Sequence, residues 1–230
     1  MKQNESTSRT RVQRYPQRGH YDRDTIYSIV DRALVCHVGF VVDNAPRVIP
    51  ALHVRIGDFL YIHGAVANQT LRTATAGGEI CVTITHIDGL VLERSAFYHS
   101  INYRSVVVIG QARLVERERK LEVLRALVEH VIPGRWSAVR APSREELAAT
   151  SLMELPLSEA SAKIRTGSPG DEEADYALSH WAGVIPLRLE AGSPIPDPKL
   201  NPAIGLPAHI KEYLIPDARS VPDKSRPNAR

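Results

Sequence analysis

The sequence contains little cysteine and no long apolar segment. Cys36 and Cys81 are the only cysteines among 230 residues, which excludes a disulfide framework and favours a reducing, cytoplasmic setting. No apolar run approaches the ~18 residues of a membrane-spanning helix, and the N-terminal residues lack the apolar core of a secretory signal. Because 43% of the residues are apolar, the chain can form a folded core. We therefore expect a globular protein without a membrane segment.

The motifs of several large enzyme classes are absent as well. The sequence has no G-x-S-x-G nucleophile elbow, no G-x-x-x-x-G-K-[ST] phosphate loop and no G-x-G-x-x-G fingerprint. Its cysteines and histidines lack the paired spacing of a zinc site, so we expect no metal ion. Both cysteines fall in apolar strands, where a free thiol usually serves packing.

The net charge of +3 is concentrated at the two ends of the chain. Residues 1–18 contain five basic residues and one acidic residue, and residues 216–230 contain four basic and two acidic residues. The part between them is slightly acidic, which argues against a nucleic-acid-binding surface. We expect a basic, flexible N-terminal tail over 1–18, one domain over 19–191 and a proline-rich C-terminal arm over 192–230.

Short runs rich in Val, Ile and Thr predict a mainly β fold. Turn signals such as Asp43-Asn44, Gly57-Asp58 and Asp88-Gly89 separate these runs. Because most connections are tight, an antiparallel sheet or β-barrel with flanking α-helices is favoured over a parallel sheet. The predicted strands are Val35–Val42, Val48–Arg55, Phe59–His63, Ile80–His86, Leu90–Arg94, Arg104–Val115, Ser151–Leu157 and Trp181–Glu190.

Apolar residues at helical spacing predict helices at Asp24–Ala33 and Glu116–Ile132. A loss of alternation predicts a short helix over residues 65–76, and another short helix is expected at Ala208–Tyr213. The acidic stretch 171–175 is interpreted as a solvated loop or a helix start.

Polar residues at the end of one predicted strand indicate an anion site. His63-Gly64 ends the strand and opens the predicted helix that carries Asn68, Gln69 and Arg72. A helix N-terminus presents free backbone N–H groups to an anion, and an arginine can add a bidentate contact to a phosphate. A histidine at the barrel rim and a solvated arginine would fit the same sequence, so both interpretations stay open.

The segment between two apolar strands, residues 94–105, is unusually rich in polar and aromatic side chains. It has two arginines, three serines, a histidine, an asparagine and three aromatic residues, whereas a simple hairpin needs only two to five residues. This composition suits a flat, phosphorylated heteroaromatic ligand. It would also suit a subunit interface.

The sequence resembles the flavin-nucleotide-binding branch of the pyridoxamine 5′-phosphate oxidase-like superfamily, which includes the nitroimidazole-resistance proteins. The resemblance covers residues 18–190. It rests on RGHYDR at 18–23, YIHG at 61–64, THIDGLVL at 85–92, RSAFYHS at 94–100, NYRSV at 102–106, PGRW at 133–136, SAKIRTG at 161–167 and HWAGVIPL at 180–187.

The resemblance implies an FMN-binding split β-barrel, with FMN in a groove shared by the two subunits of a homodimer. The residues that it assigns to the cofactor are Val48, Ile49 and Pro50 along the flavin ring, His63, Gly64, Asn68, Gln69 and Arg72 at the phosphate, and Arg104 and Ser105 at the ring edge. His63 is the expected catalytic residue, and Lys163 and Arg165 are candidates for binding an anionic substrate. Relatives usually carry Ser-Arg where this chain has Asn68-Gln69, so a charged phosphate contact is missing.

Three functions remain open at this point. The first is an FMN-dependent oxidoreductase acting on a small conjugated substrate of nitro or pyridoxal type. The second is a flavin-binding or storage module without turnover. The third is the same barrel with haem bound through an exposed histidine.

Overall fold

The computed structural model describes residues 7–65 and 78–219. These residues form ten strands and five short or medium helices. The strands are β1 (Gly19–His20), β2 (Val35–Val42), β3 (Ala45–Ile56), β4 (Phe59–Ala65), β5 (Glu79–Leu92), β6 (Ser100–Gln111), β7 (Arg113–Leu114), β8 (Thr150–Pro156), β9 (Ala160–Arg165) and β10 (Gly183–Pro186). The helices are α1 (Arg23–Asp31), α2 (Lys120–Val131), α3 (Arg144–Ala149), α4 (Ala208–Lys211) and α5 (Pro216–Arg219).

The strands form one antiparallel sheet in the order β1-β9-β6-β5-β2-β3-β4-β8-β7, and β10 pairs with β5 beside this path. The two ends of the order do not pair with each other, so the barrel is split rather than closed. The prediction of an antiparallel split barrel with flanking helices is confirmed. The predicted helix over residues 65–76 lies mainly outside the described residues.

The Asp88-Gly89 pair is not a turn, and the prediction of two strands around it is wrong. β5 runs without interruption from Glu79 to Leu92, and its register against β6 shifts between Ile87 and Gly89. A Cβ at Gly89 would lie 3.0 Å from the carbonyl oxygen of Ile185 in β10. The glycine therefore allows a third strand to approach β5 closely, which a glycine in a strand often marks.

Four elements were not predicted from the sequence: β1, β9, α3 and α5. Strand β9, ASAKIR, alternates apolar and polar residues, but two of its three apolar residues are alanine; it pairs with both β1 and β6. Helix α3 begins with a capping box, in which the Ser143 side chain accepts from the Glu146 backbone N–H and the Glu146 side chain accepts from the Ser143 backbone N–H. This S-x-x-E pattern was the signal that could have identified the helix.

Helix α1 packs its apolar side into the barrel. Asp22 caps the helix by accepting from the backbone N–H of Thr25 at 2.8 Å. Ile26, Ile29 and Val30 are buried in the main core, which lines the inner face of the sheet. The helix ends two residues earlier than the predicted Ala33.

A second, smaller core lies on the other side of β4 and β8, beneath α2. Val123 and Leu127 of α2 pack there with Tyr61 and Leu152. A short 3₁₀ helix, Arg117–Arg119, precedes α2, so the predicted helix Glu116–Ile132 is correct in place but begins too early.

Both terminal segments contact the barrel. Arg9 forms ion pairs with Glu79, at 2.7 Å, and with Glu159, and Thr10 is buried. At the other end, Ile215 is buried, whereas residues 185–208 are exposed throughout. Within the described ranges no helix has the length and apolar character needed to cross a membrane.

Candidate functional site

The pairing of the strands divides the predicted site residues between two faces of the sheet. Directly paired residues share a face and successive residues alternate between faces. The inner face carries the core residues Val38 and Val82, which pair with each other. Ile49 is on this face because it pairs with Val38, and Arg104 is on it because the pairing of β5 with β6 places it on the same side as Val82. The outer face carries Val48, Pro50, Ser105, Lys163 and Arg165. The structure therefore places Arg104 on the opposite face from Val48 and Pro50.

The outer face of β2 and β3 is apolar and exposed. Val48 is 66% exposed and Val41 is 56% exposed. Together with Cys81 and Ile109 they line a shallow depression of about 330 Å³. An exposed group of large apolar side chains of this kind marks a binding or subunit surface in soluble proteins.

His37 lies in the middle of this outer face and was not identified from the sequence. It pairs with Pro50 of β3 on one side and with Thr83 of β5 on the other, and its side chain is exposed. The available signal was the alternation in VCHVGFVV, in which His37 shares the outward positions with Val35 and Val41.

His63 lies on β4, away from the outer face of β2 and β3. It pairs with Leu152 of β8, on the side of β4 that faces the smaller core, and its side chain is exposed. The remaining partial burial of the ring lowers the pKa of His63 below its ordinary value. The neighbouring Gly64 is buried. Asn68, Gln69 and Arg72 lie outside the described residues.

Arg104 is held by two carboxylates. Its Nε and Nη2 atoms donate to Asp88, at 2.9 and 2.7 Å, and its Nη1 and Nη2 atoms donate to Asp217, at 3.0 and 2.9 Å. The guanidinium is therefore engaged by the chain itself rather than directed at an open groove.

The other predicted binding residues differ in the number of contacts that they make with the rest of the chain. The Ser105 hydroxyl donates to the backbone oxygen of Lys163 at 3.3 Å. Arg165 donates to Asn102 at 2.7 Å and lies 3.8 Å from Glu93, whose side chain is only 2% exposed. Lys163 is half-buried on the outer face and makes no ion pair with a described residue. Of these residues, Lys163 is the cation best placed to meet an anionic ligand.

The polar segment 94–105 is tied to the acidic stretch 171–175. Arg94 bonds to Asp171 through its backbone N–H and its Nη1, both at 2.7 Å, and the Asp171 side chain is fully buried. The Tyr98 hydroxyl donates to Glu172 at 2.9 Å, and Phe97 remains 85% exposed. A short 3₁₀ helix, Glu173–Ala177, begins in the acidic stretch, as one of its two interpretations predicted. Asp171 is not solvated, because its buried carboxylate is paired with Arg94.

A sequence model of the pyridoxamine 5′-phosphate oxidase family matches residues 22–164. The chain belongs to the pyridoxamine 5′-phosphate oxidase-like family. The match spans the barrel from α1 to β9 and ends before β10 and the C-terminal arm.

Two solved structures are similar to this chain over nearly their whole length. The flavocytochrome Anf3 from Azotobacter vinelandii is 39% identical, with a TM-score of 0.86, over 90% of this chain and 97% of that protein. An FAD- and haem-binding protein from Mycobacterium smegmatis is 33% identical, with a TM-score of 0.81, over 84% of this chain and 96% of that protein.

More distant similarity extends to the branch named from the sequence motifs. A candidate 5-nitroimidazole antibiotic resistance protein from Bacteroides thetaiotaomicron is 20% identical, with a TM-score of 0.54, over 64% of this chain and 86% of that protein. At this identity the similarity concerns the fold alone. A comparison with curated protein sequences gave no match.

Proposed function

We propose that this protein is a redox protein that binds a flavin nucleotide and a haem. The observation that carries the proposal is its similarity, at 39% and 33% identity, to a flavocytochrome and to an FAD- and haem-binding protein. Both similarities include most of the chain, so they extend beyond the barrel that the family shares. The earlier expectation of a flavin is kept here, and haem becomes a second cofactor rather than an alternative to it.

The described histidines fit a haem ligand. An axial imidazole must be neutral and have an accessible ring nitrogen. His63 is exposed, makes no hydrogen bond with a described residue, and has a pKa lowered by burial. We therefore propose that His63 would hold the haem iron. His37 is also exposed, so it is the competing candidate.

The outer face of the sheet fits a flat ring system. Val48 and Pro50 present apolar surface there, and Lys163 lies on the same face of the sheet, on β9. Ile49 points to the opposite face and packs against the main core, so it would support the site without touching the ring. Arg104 would contact a flavin only after losing a carboxylate partner.

A bound flavin supplies two-electron chemistry and a bound haem supplies one-electron chemistry. The role of the protein would be to hold both groups in a fixed arrangement and to limit the access of water. The central strands β2, β3 and β5 suit this task because each is paired on both sides and is rigid. The reaction that we propose is oxidation or reduction of a small conjugated substrate.

We further propose that two copies of the chain cover the outer face in a homodimer. Val35, Val41, Val48 and Leu52 are all more than 40% exposed on adjacent strands. A soluble protein gains stability by removing such a surface from water, and a two-fold dimer covers the same surface on both copies.

The test begins with the visible spectrum of the purified protein. We expect the two absorbance bands of an oxidised flavin together with a Soret band. Acid extraction and chromatography will then identify the flavin as FMN or FAD. A protein that is colourless and takes up neither added flavin nor added haemin would refute the proposal.

Three histidine variants identify the axial ligand. His63→Ala should lose the Soret band or change its position, whereas His37→Ala should leave it in place. His99→Ala is the matched control, because His99 is also exposed but lies in the loop before β6. Loss of the band in His37→Ala with a normal His63→Ala spectrum would move the ligand to the outer face.

A flavin- and haem-binding module without turnover is the second candidate function. Three predicted site residues within the described ranges are cationic. Arg104 and Arg165 are each engaged by side chains of the chain itself, so only Lys163 is left to bind a substrate anion, and this favours a module without turnover. Turnover with a reduced nicotinamide or another electron donor separates the two functions. A loaded protein that is reduced by no donor would support the module.

A further inference from the structure

The C-terminal segment of the chain closes over the inner face of the barrel at Arg104. We define residues 213–219 as the strap. Ile215 and Pro216 of the strap are buried, and Asp217 reaches Arg104 on β6. Arg104 is on the inner face at the end of the core, in register with His86 of β5.

The guanidinium of Arg104 behaves as a fork for carboxylates. It has five N–H groups, and four hydrogen bonds join it to two carboxylates. Asp88 lies only 16 residues away, on the adjacent strand, and orients the guanidinium group. Asp217 is 113 residues away in sequence and occupies the remaining side of the fork in a bidentate arrangement.

A histidine and a second arginine lie near the same carboxylate. The Nδ1 atom of His86 lies 3.9 Å from Asp217, while its Nε2 atom donates to the backbone oxygen of Ile29 at 3.0 Å. Burial by itself would raise the pKa of Asp217, but Arg104, His86 and Arg32 outweigh it, so the pKa lies below its ordinary value. The side chains of Arg104 and His86 are 18% and 11% exposed, so this is a partly buried site.

The strap is held by buried apolar residues as well as by its ion pair. Ile215 and Pro216 are buried, whereas the span from 185 to 208 that precedes α4 is exposed. Helix α5, which carries Asp217, is four residues long. The bidentate contact between Asp217 and Arg104 therefore joins these buried residues in holding the strap against the barrel.

We infer that Arg104 and His86 form a carboxylate-binding site that the strap fills with its own Asp217. The strap is a tethered ligand, and any molecule that offers a carboxylate to Arg104 must compete with it. A tethered group is present at an effective concentration in the millimolar range. A ligand therefore displaces Asp217 from Arg104 only when its own contacts outweigh the effective concentration of the tethered carboxylate. The strap thereby excludes carboxylates that bind weakly. The inference does not depend on the flavin or the haem.

Hydrogen exchange of the full-length protein tests whether Asp217 holds the strap. In Asp217→Asn we expect exchange in residues 213–219 to become at least tenfold faster, with no change in the strands of the main core. Glu212→Gln is the matched control, because Glu212 is exposed and the same charge is removed five residues away. Unchanged exchange in Asp217→Asn would overturn the inference.

Chemical rescue tests whether the site takes a carboxylate from solution. Asp217→Ala leaves the Arg104 fork without its second partner, so sodium acetate should raise the melting temperature of this variant above that in sodium chloride of equal ionic strength. The wild type and Glu212→Ala should show no difference between the two salts. An equal acetate effect in all three proteins would show that Arg104 is not a carboxylate site and would refute the inference.

Discussion

The imidazole rings of His53 and His130 lie with their centroids 5.9 Å apart at the C-terminal end of helix α1. Their Nε2 atoms donate to the backbone oxygens of Val30, at 3.1 Å, and Ala33, at 2.8 Å. His86 makes the same kind of contact with Ile29. Ile29 and Val30 belong to the last turn of α1, and Ala33 lies two residues beyond it, so three side chains from the surrounding strands and α2 bind backbone oxygens at and just after the end of the helix.

The first prediction concerns the pH dependence of stability at His53. Burial, with a smaller contribution from His130 and His86, lowers the pKa of this ring to about 4 in the folded protein. The unfolded chain, with a pKa near ~6.5, binds the proton more readily. The free energy of unfolding should therefore fall as the pH decreases from about 6.5 to about 4, by up to ~3 kcal/mol.

Urea unfolding at pH 7 and at pH 4.5 measures this loss. His53→Gln, which can still donate to Val30, should show a smaller difference between the two pH values than the wild type. His180→Gln, at an exposed position, should behave as the wild type does. An identical pH difference in all three proteins would assign the acid sensitivity to other groups.

The second prediction separates Arg165 from Lys163, which the sequence grouped as substrate-binding residues. Arg165 is the partner of buried Glu93, so Arg165→Met should lower the free energy of unfolding by about 3 kcal/mol. Lys163→Met, two residues earlier on the same strand, should change it by less than about 0.5 kcal/mol. Urea titration gives both values, and equal losses would contradict the structural role of Arg165.

The third prediction concerns the outer face of the sheet. Val48→Asp places a charge at a position that is 66% exposed in one chain, so the fold should be retained. Because a buried unpaired carboxylate is costly, the homodimer that we propose should dissociate in this variant. Light scattering after gel filtration should give the mass of one chain instead of two. Glu190→Asp, at an exposed position on the arm, should stay dimeric; a dimeric Val48→Asp would exclude this face as the interface.

The fourth prediction concerns the two thiols. Burial raises the pKa of Cys36 to about 12, so its thiolate is not available at pH 8. Cys81 is exposed on the outer face, near Val48. A thiol reagent should leave Cys36 unmodified until the protein unfolds, and should modify Cys81 faster in Val48→Asp than in the wild type. Rapid modification of Cys36 in the folded Cys81→Ser variant would contradict this prediction.

The barrel could be predicted largely from local patterns. Alternation in Val35–Val42, turn signals such as Asp43-Asn44, and the amphipathic pattern before Pro133 each act over a few residues, and the structure follows them. β9 was missed because two of its three apolar residues are alanine, which favours helices over strands, so its alternation is a weak strand signal. Asp88-Gly89 was misinterpreted because a glycine that permits a third strand to approach has the same sequence signature as a turn.

The composition of the candidate site and the family of the chain can be inferred from the residues alone. Which of those residues can meet depends on how the strands pair in three dimensions. Val48 and Arg104 belong to one sheet but point to opposite faces. The face on which each side chain lies is set by the register across β3, β2, β5 and β6. The partners of Arg104 and Arg165 also depend on contacts made over long sequence separations. Local sequence encodes alternation along one strand, whereas register across strands is a property of the whole sheet.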